Sequence, residues 1–396
     1  MLEIRTLEAP DKVVWSLPPS KSHMIRWLAL SSQCPSSTEL HFDGEPGKDV
    51  EDMANCMEVF GAEISRESGK WIIEGNPGGR GSPIGSLWCG NSGTAARIVI
   101  AMSASMETPI SIDGDYSLRG RDSSALSNAL RNIGCKISSD SLPCTVEGPL
   151  HSGSVDIDLR GSSQALTAFL LASPRFPNGI EAKLLGQPVS RDYSELTFQI
   201  CKMCGWPGSI SERVPLEPWE VISPSKVDIP GELSLLPLSI LFDILHGTET
   251  HASLPKIGFP RVSESIGAVI QCRGGRVDLR DSSDIITPAA FLMALGDGGE
   301  IVGVSHSRGK ESDRIQSTAS LLREFGIYSK DTADGLEIMG GQELKKPEGP
   351  VRTYFDHRVA MTAIVLATKV GGVIEGTEWC DISHPGFIKM VLNGRS

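Results

Sequence analysis

The chain has 396 residues, enough for two hydrophobic cores, and its 40% hydrophobic and 22% charged content suits an ordinary globular protein. Thirty-seven basic against 49 acidic residues leave a net charge of −12, which disfavours non-specific nucleic-acid binding but allows an anionic small molecule in a locally positive recess. The opening MLEIRTLEAPDKVVW carries acids and no apolar stretch, so no signal peptide is expected, and the most apolar window, Leu233 to Leu245, is too short to span a bilayer. Nine scattered cysteines suit reduced thiols in the cytoplasm. Cys201-Lys-Met-Cys204 has no second pair and reads as plain helical spacing rather than a zinc or redox motif.

Along the chain, PSKSHMIRWLALSS predicts an apolar helix with Lys21 and Ser22 at its entry and Arg26 a turn further on. An arginine among such neighbours needs a partner or a ligand. DVEDMANCMEVFG predicts an amphipathic helix stopping at Gly61 before a short strand. WCGNSGTAARIVIAM then crowds Asn91, Ser92 and Gly93 into a donor-rich turn, with Arg97 behind it on a second apolar helix. SLRGRD places Arg119 and Arg121 in a loop before SALSNALRNIG, which stops at Gly134. GSSQALTAFLLAS opens a third apolar helix with the hydroxyls of Ser162 and Ser163 and the amide of Gln164. VSRDYSE supplies Ser190 and Tyr193 ahead of ELTFQICKMCG, which stops at Gly205 before the strand-like WPGSI.

The second half repeats the alternation. GELSLLPLSILFDIL is apolar, and SIGAVIQCRG is amphipathic and stops at Gly274. RDSSDIITPAAF puts Asp284 at the head of another apolar helix, where cap and catalytic base are equally good readings. SRGKESDRI packs Lys310, Glu311, Asp313 and Arg314 together ahead of IQSTASLLREFG, which stops at Gly326. FDHRVAMTAIVLAT brings Asp356, His357 and Arg358, and Gly394 is a last candidate stop. The stops recur about every seventy residues with one shorter interval, Gly274 to Gly326, as expected of a module of strands and two helices. Six interior helices with polar heads suggest helix N-termini turned toward anions, and several of those heads could share one cleft. No GxxxxGK[ST], HExxH, GxGxxG with a following acid, or Gly-x-Ser-x-Gly is present, so no metal or cofactor is expected.

In this order and spacing, PSKS…R, GNSGTA..R, GSSQ, S..Y, an aspartate at a helix head, KESDR and DHRVAM give a chain that resembles the 5-enolpyruvylshikimate-3-phosphate synthase family over essentially its whole length. The resemblance implies an α/β, two-domain inside-out barrel of six βαββαβ-type repeats with buried helices, three per domain. The first domain would be residues 1–18 plus 230–396 and the second residues 19–229, with shikimate 3-phosphate and phosphoenolpyruvate bound between them in a monomeric cytoplasmic enzyme. Lys21, Ser22, Arg26, Ser162, Ser163, Gln164, Ser190, Tyr193, Asp284 and Lys310 would hold shikimate 3-phosphate. Lys21, Asn91, Gly93, Arg121, Gln164, Glu311, Arg314, His357 and Arg358 would surround phosphoenolpyruvate. The same resemblance makes Asp284 the base for the 5-hydroxyl and Glu311 the proton donor and acceptor at the methylene carbon, with Lys21 sharing that work.

The chain departs from the family pattern at Cys380-Asp-Ile-Ser-His-Pro385, which lacks a lysine that some members carry. It departs also at Gly231-Glu232, where aspartate is more usual, and at His306, where some relatives have asparagine. The sibling transferase acting on UDP-N-acetylglucosamine typically carries a cysteine in the loop matching SLRGRDSS, and none stands here. A non-catalytic phosphometabolite binder would gain nothing from Asp284 and Glu311.

Overall fold

The computed structural model describes residues 1–7, 14–77, 86–252 and 259–393. The expected stop at Gly394 lies outside them. The chain is mixed α/β and divides into two compact units: Met1–Pro19, Gly44–Gly47 and Pro230–Ser396 form one, and Ser20–Asp43 with Lys48–Ile229 form the other.

In the second unit a single sheet plan recurs. Strands Ser86–Trp88 and Ile110–Asp113 are parallel neighbours, and Cys144–Glu147 and then Lys136–Ile137 add antiparallel. The parallel pair is joined by the apolar helix Gly93–Ser103, while the amphipathic helix Ser124–Asn132 precedes the hairpin. A parallel pair needs such a crossover, whereas two antiparallel strands need only a turn. Gly153–Asp158, Ile180–Leu185 and Arg213–Leu216 follow the same plan with a strand missing. Trp206 to Ile210, expected to be strand-like, is irregular. Pro207 lacks the N–H a ladder needs, and Gly208 adds no side chain to pack.

The first unit uses the plan again in Arg276–Asp278, Gly298–Val302, Leu336–Met339 and Ser329–Asp331. The short interval after Gly274 has a direct cause. Helix Pro260–Ile270 runs straight into strand Arg276–Asp278 with no hairpin between them. In each unit one parallel pair joins strands far apart in the chain. Val14–Trp15, just ahead of helix Lys21–Ser31, pairs with His251–Ala252, while Lys226–Asp228 takes the parallel place beside Ser37–His41.

Helices Lys21–Ser31, Gly93–Ser103, Gln164–Ala172, Leu236–His246, Ile286–Leu295 and His357–Val370 are buried along most of their length, as six apolar segments without a polar stripe require. Their burial is matched across repeats. Thr167 meets Thr197 through hydroxyls 3.0 Å apart, and Thr287 meets Thr318 at 2.9 Å, each pairing an interior helix with the amphipathic helix that follows it. Five of the proposed stops, Gly61, Gly134, Gly205, Gly274 and Gly326, have positive φ, the left-handed conformation that only glycine enters without steric cost.

Candidate active site

In the second unit the polar heads of three interior helices carry the predicted residues. Lys21 opens helix Lys21–Ser31 and donates to Asp49 at 2.8 Å. Asp49 is buried and was not singled out by sequence, where it is one more acid in an amphipathic first turn. Arg26 is buried too, donating to Thr197 Oγ1 at 2.8 Å, the Ser22 carbonyl at 2.8 Å and the Tyr193 carbonyl at 3.1 Å. Ser190 precedes helix Arg191–Met203 with φ of 54°, left-handed for a residue with a side chain.

The Gly93 turn gathers a second set. Ser92 caps its helix by accepting from Ala95 N–H, and a Cβ placed on Gly93 would come within 2.7 Å of Arg97 Nη1, 3.4 Å of Arg121 Nη1 and 3.6 Å of Gln164 Oε1. Arg121 donates to the Asn91 carbonyl at 2.9 Å and to its side-chain oxygen at 2.7 Å, and Asn91 in turn donates to Asp115 at 2.7 Å. Arg97 bonds the carbonyls of Gly93 and Asp122 at 2.9 and 2.5 Å. Burial, followed by the neighbouring charge of Arg121, lowers its pKa to about 10, so it stays cationic at neutral pH. Ser162 accepts from the Gln164 N–H at 3.1 Å, Ser163 is buried, and Gln164 donates to Thr94 at 3.2 Å. Arg119 is set apart, pairing with Asp113 on the short helix Tyr116–Arg119.

Asp52 backs the same turn, against Gly90. Burial, then Asp49, Glu51 and Asp115, push its carboxyl up to about 6. A raised folded-state pKa means the penalty for charging Asp52 is absent below the ordinary carboxylate value of about 4 and fully present above about 6. Asp52→Asn is therefore expected to raise stability near neutral pH by on the order of 1 kcal/mol, discounted because the group is only half-buried, and to leave it unchanged near pH 4. Thermal melts of both proteins at the two pH values check this; an equal difference at both would refute it.

In the first unit three helix heads meet at one guanidinium. Asp284 lies in the short turn Ser283–Ile285 ahead of helix Ile286–Leu295, which has no side-chain cap. Its carboxylate takes Lys310 Nζ at 2.8 Å and Arg314 Nη1, so of the two sequence readings the cap loses support. Arg314, 1% exposed, also donates from Nη2 to Glu311 at 2.6 Å and from Nε to Asp356 at 3.0 Å. Burial, the largest single influence on Asp284, disfavours its charge, but Lys310, Arg314 and Arg358 more than offset it and hold the carboxyl well below the usual carboxylate range. For Arg314, burial works against the cation, and Asp356, Glu311 and Asp284 reverse that and fix it as charged.

Arg358 donates to the Ser234 carbonyl at 2.9 Å, to Ser234 Oγ at 2.8 Å, and from Nε to His357 Nε2 at 3.1 Å. Ser234 bonds Glu232 at 2.5 Å, so the glutamate that stands where aspartate is more usual supports Arg358 through a hydroxyl. His306 reaches Ser283 at 3.1 Å, and burial followed by Lys310 lowers it to about 4, leaving it neutral. In the segment without the lysine of some family members, the ring nitrogens of His384 lie 3.2 and 3.1 Å from the Pro385 and Ser16 carbonyls, and burial lowers its pKa. Sequence reasoning passed over Asp49 and Ser234, because no local pattern marks a residue whose partner is remote in the chain, and it noted Glu232 only as a departure from the more usual aspartate. Among the described residues no three His, Cys, Asp or Glu side chains are grouped to hold a metal.

A family model described as EPSP synthase (3-phosphoshikimate 1-carboxyvinyltransferase) matches residues 12–234 and 258–391. The 3-phosphoshikimate 1-carboxyvinyltransferase of Korarchaeum cryptofilum is 31% identical, covering 98% of this chain and 97% of its own length. That of Thermococcus kodakarensis is 30% identical, covering 93% of this chain and 94% of its own. Among solved structures, EPSP synthase from Acinetobacter baumannii superposes with a TM-score of 0.78 at 19% identity, over 99% of this chain and 97% of that one. The enolpyruvyl transferase NikO from Streptomyces tendae gives 0.73 at 11% identity, over 99% and 96%. At those identities the two superpositions speak for the fold alone.

Proposed function

The chain belongs to the EPSP synthase (3-phosphoshikimate 1-carboxyvinyltransferase) family, and on that premise we propose that it moves the enolpyruvyl group of phosphoenolpyruvate to the 5-hydroxyl of shikimate 3-phosphate, in aromatic amino-acid biosynthesis. The 5-hydroxyl oxygen bonds to C2 of phosphoenolpyruvate and loses its proton as the methylene carbon gains one. Phosphate then leaves C2 while a methyl proton is removed, and the enol ether is formed.

The observation that carries this reading is Arg314, which holds Asp284 and Glu311, two groups able to move protons, on one guanidinium. An anion-binding protein without chemistry would weaken its own site by aiming two carboxylates at its cations. Asp284 is the base for the 5-hydroxyl and Glu311 the proton carrier at the methylene carbon, with Lys21 sharing that transfer. Ser22, Arg26, Ser162, Ser163, Gln164, Ser190, Tyr193 and Lys310 hold shikimate 3-phosphate. Asn91, Gly93, Arg121, Arg314, His357 and Arg358 receive phosphoenolpyruvate, the arginines offering paired donors for carboxylate or phosphate. As the substrate anions draw on Lys310, Arg314 and Arg358, the cationic hold on Asp284 weakens and its proton affinity rises toward that of a working base. The nine cysteines, all free thiols, favour a reducing compartment such as the cytoplasm, where the enzyme would act as a monomer.

The chemistry is tested by running the reaction in deuterium oxide. Protonation and deprotonation at the same carbon predict solvent deuterium in the product's methylene group, read by mass spectrometry; a product free of deuterium would contradict the addition–elimination route. Glu311→Gln is expected to lower turnover by about 10²- to 10⁴-fold, with substrate KM values changing much less. Wild-type turnover in that variant would remove Glu311 from proton transfer.

A further inference from the structure

We propose that Asp356 is the positioning residue of this site: its carboxylate sets the plane of Arg314 and hence the direction from which that guanidinium meets phosphoenolpyruvate. The inference rests on the assignment of Arg314 to that substrate made above. Asp356 is 0% exposed, and its two oxygens hold three donors. Oδ2 accepts from Arg314 Nε at 3.0 Å and from Ser312 Oγ at 2.9 Å, and Oδ1 accepts from the Arg358 backbone N–H at 2.9 Å. Ser312 is steadied in turn by Ser317 Oγ at 2.9 Å.

A guanidinium is planar, so a bond at Nε dictates where both Nη groups point. With Nε on Asp356, the Nη groups face Asp284 and Glu311, the two acids given proton-transfer roles. The same carboxylate caps helix His357–Val370 and so fixes the backbone of Arg358. One buried acid therefore orients two arginines assigned to one substrate, from the heads of two helices.

The backbone entering this position is itself constrained. Tyr354 and Phe355 have φ of 54° and 61°, left-handed values that residues with side chains seldom adopt, and among the described residues only Ser190 shares the property. The Phe355 ring packs on Trp379 with centroids 5.1 Å apart, which anchors the turn. Strain of this kind persists only where surrounding contacts hold it, and here it delivers Asp356 to its three donors.

Asp356→Asn keeps the shape but removes the charge, and whichever way the amide turns, one oxygen gives way to an N–H among donors. The expected result is a fall of about a hundredfold in kcat/KM for phosphoenolpyruvate through a raised KM, with KM for shikimate 3-phosphate within about threefold of wild type. Ser312→Ala loosens the carboxylate without touching either arginine and should give the same split at about three- to tenfold. It decides the matter if Asp356→Asn does not fold. Unchanged phosphoenolpyruvate constants, or equal rises in both KM values with a lowered Tm, would overturn the proposal and leave Asp356 a helix cap. Arg314→Lys belongs in the same series. If it is unaffected, the parent assignment fails; if it is impaired while Asp356→Asn is normal, only the role of Asp356 fails.

Discussion

Asp284→Asn should lower kcat by about 10²- to 10⁴-fold, the range for loss of a positioned general base, while both KM values change by less than about tenfold. The amide still fills the space and can accept from Lys310 and Arg314, so binding geometry is largely kept. It cannot take the proton of the 5-hydroxyl. The cations around Asp284 hold it ionised at neutral pH in the free enzyme, so raising the pH adds no further base to the wild-type site. Steady-state kinetics across pH make the check. A variant within threefold of wild type would assign the base elsewhere.

Arg314→Lys should cost about 10²- to 10³-fold in kcat/KM for phosphoenolpyruvate, comparable with removing one preorganised donor from a water-poor site. The change keeps the charge, so a site that needed only positive potential would tolerate it. Arg314 instead spends three edges of one plane on Asp356, Asp284 and Glu311, and an ammonium group cannot reproduce that fork. Stability should fall as well, since buried Asp356 and the part-buried Asp284 and Glu311 lose some of their compensation, and breaking a fully buried pair outright costs about 3–5 kcal/mol. Kinetics and thermal melts together test this, and near-normal activity would show that Arg314 acts as a point charge.

Much of the fold was open to inspection in the chain itself. Apolar runs such as Ile286–Leu295 have no polar stripe and can only be interior, and glycines such as Gly61 end helices that would otherwise continue. What local pattern could not reveal was exchange at a distance. Nothing in Val14–Trp15 says that it pairs with His251–Ala252 rather than near the helix it precedes. Pro207 could have warned that Trp206 to Ile210 would not join a ladder. Of the site, helix heads with unusual charge, at Lys21, Asp284 and Arg314, stood out because a buried cation or acid demands an explanation. Their supports did not. Asp49 is an ordinary acid until folding carries it to Lys21, and Glu232, noticed only for standing where aspartate is more usual, is tied to Arg358 through Ser234. Asp356 was visible in FDHR, but its tie to Arg314 spans 42 residues and no periodicity announces it.

The proposed transfer requires Lys21 and Asp284 alike. Its most direct test is inorganic phosphate release by the purified protein supplied with shikimate 3-phosphate, phosphoenolpyruvate, or both. Release with both present and with neither alone, abolished alike by Lys21→Ala in one unit and Asp284→Asn in the other, is the expected result. Release from phosphoenolpyruvate alone, or none with both substrates in a folded sample, would contradict it.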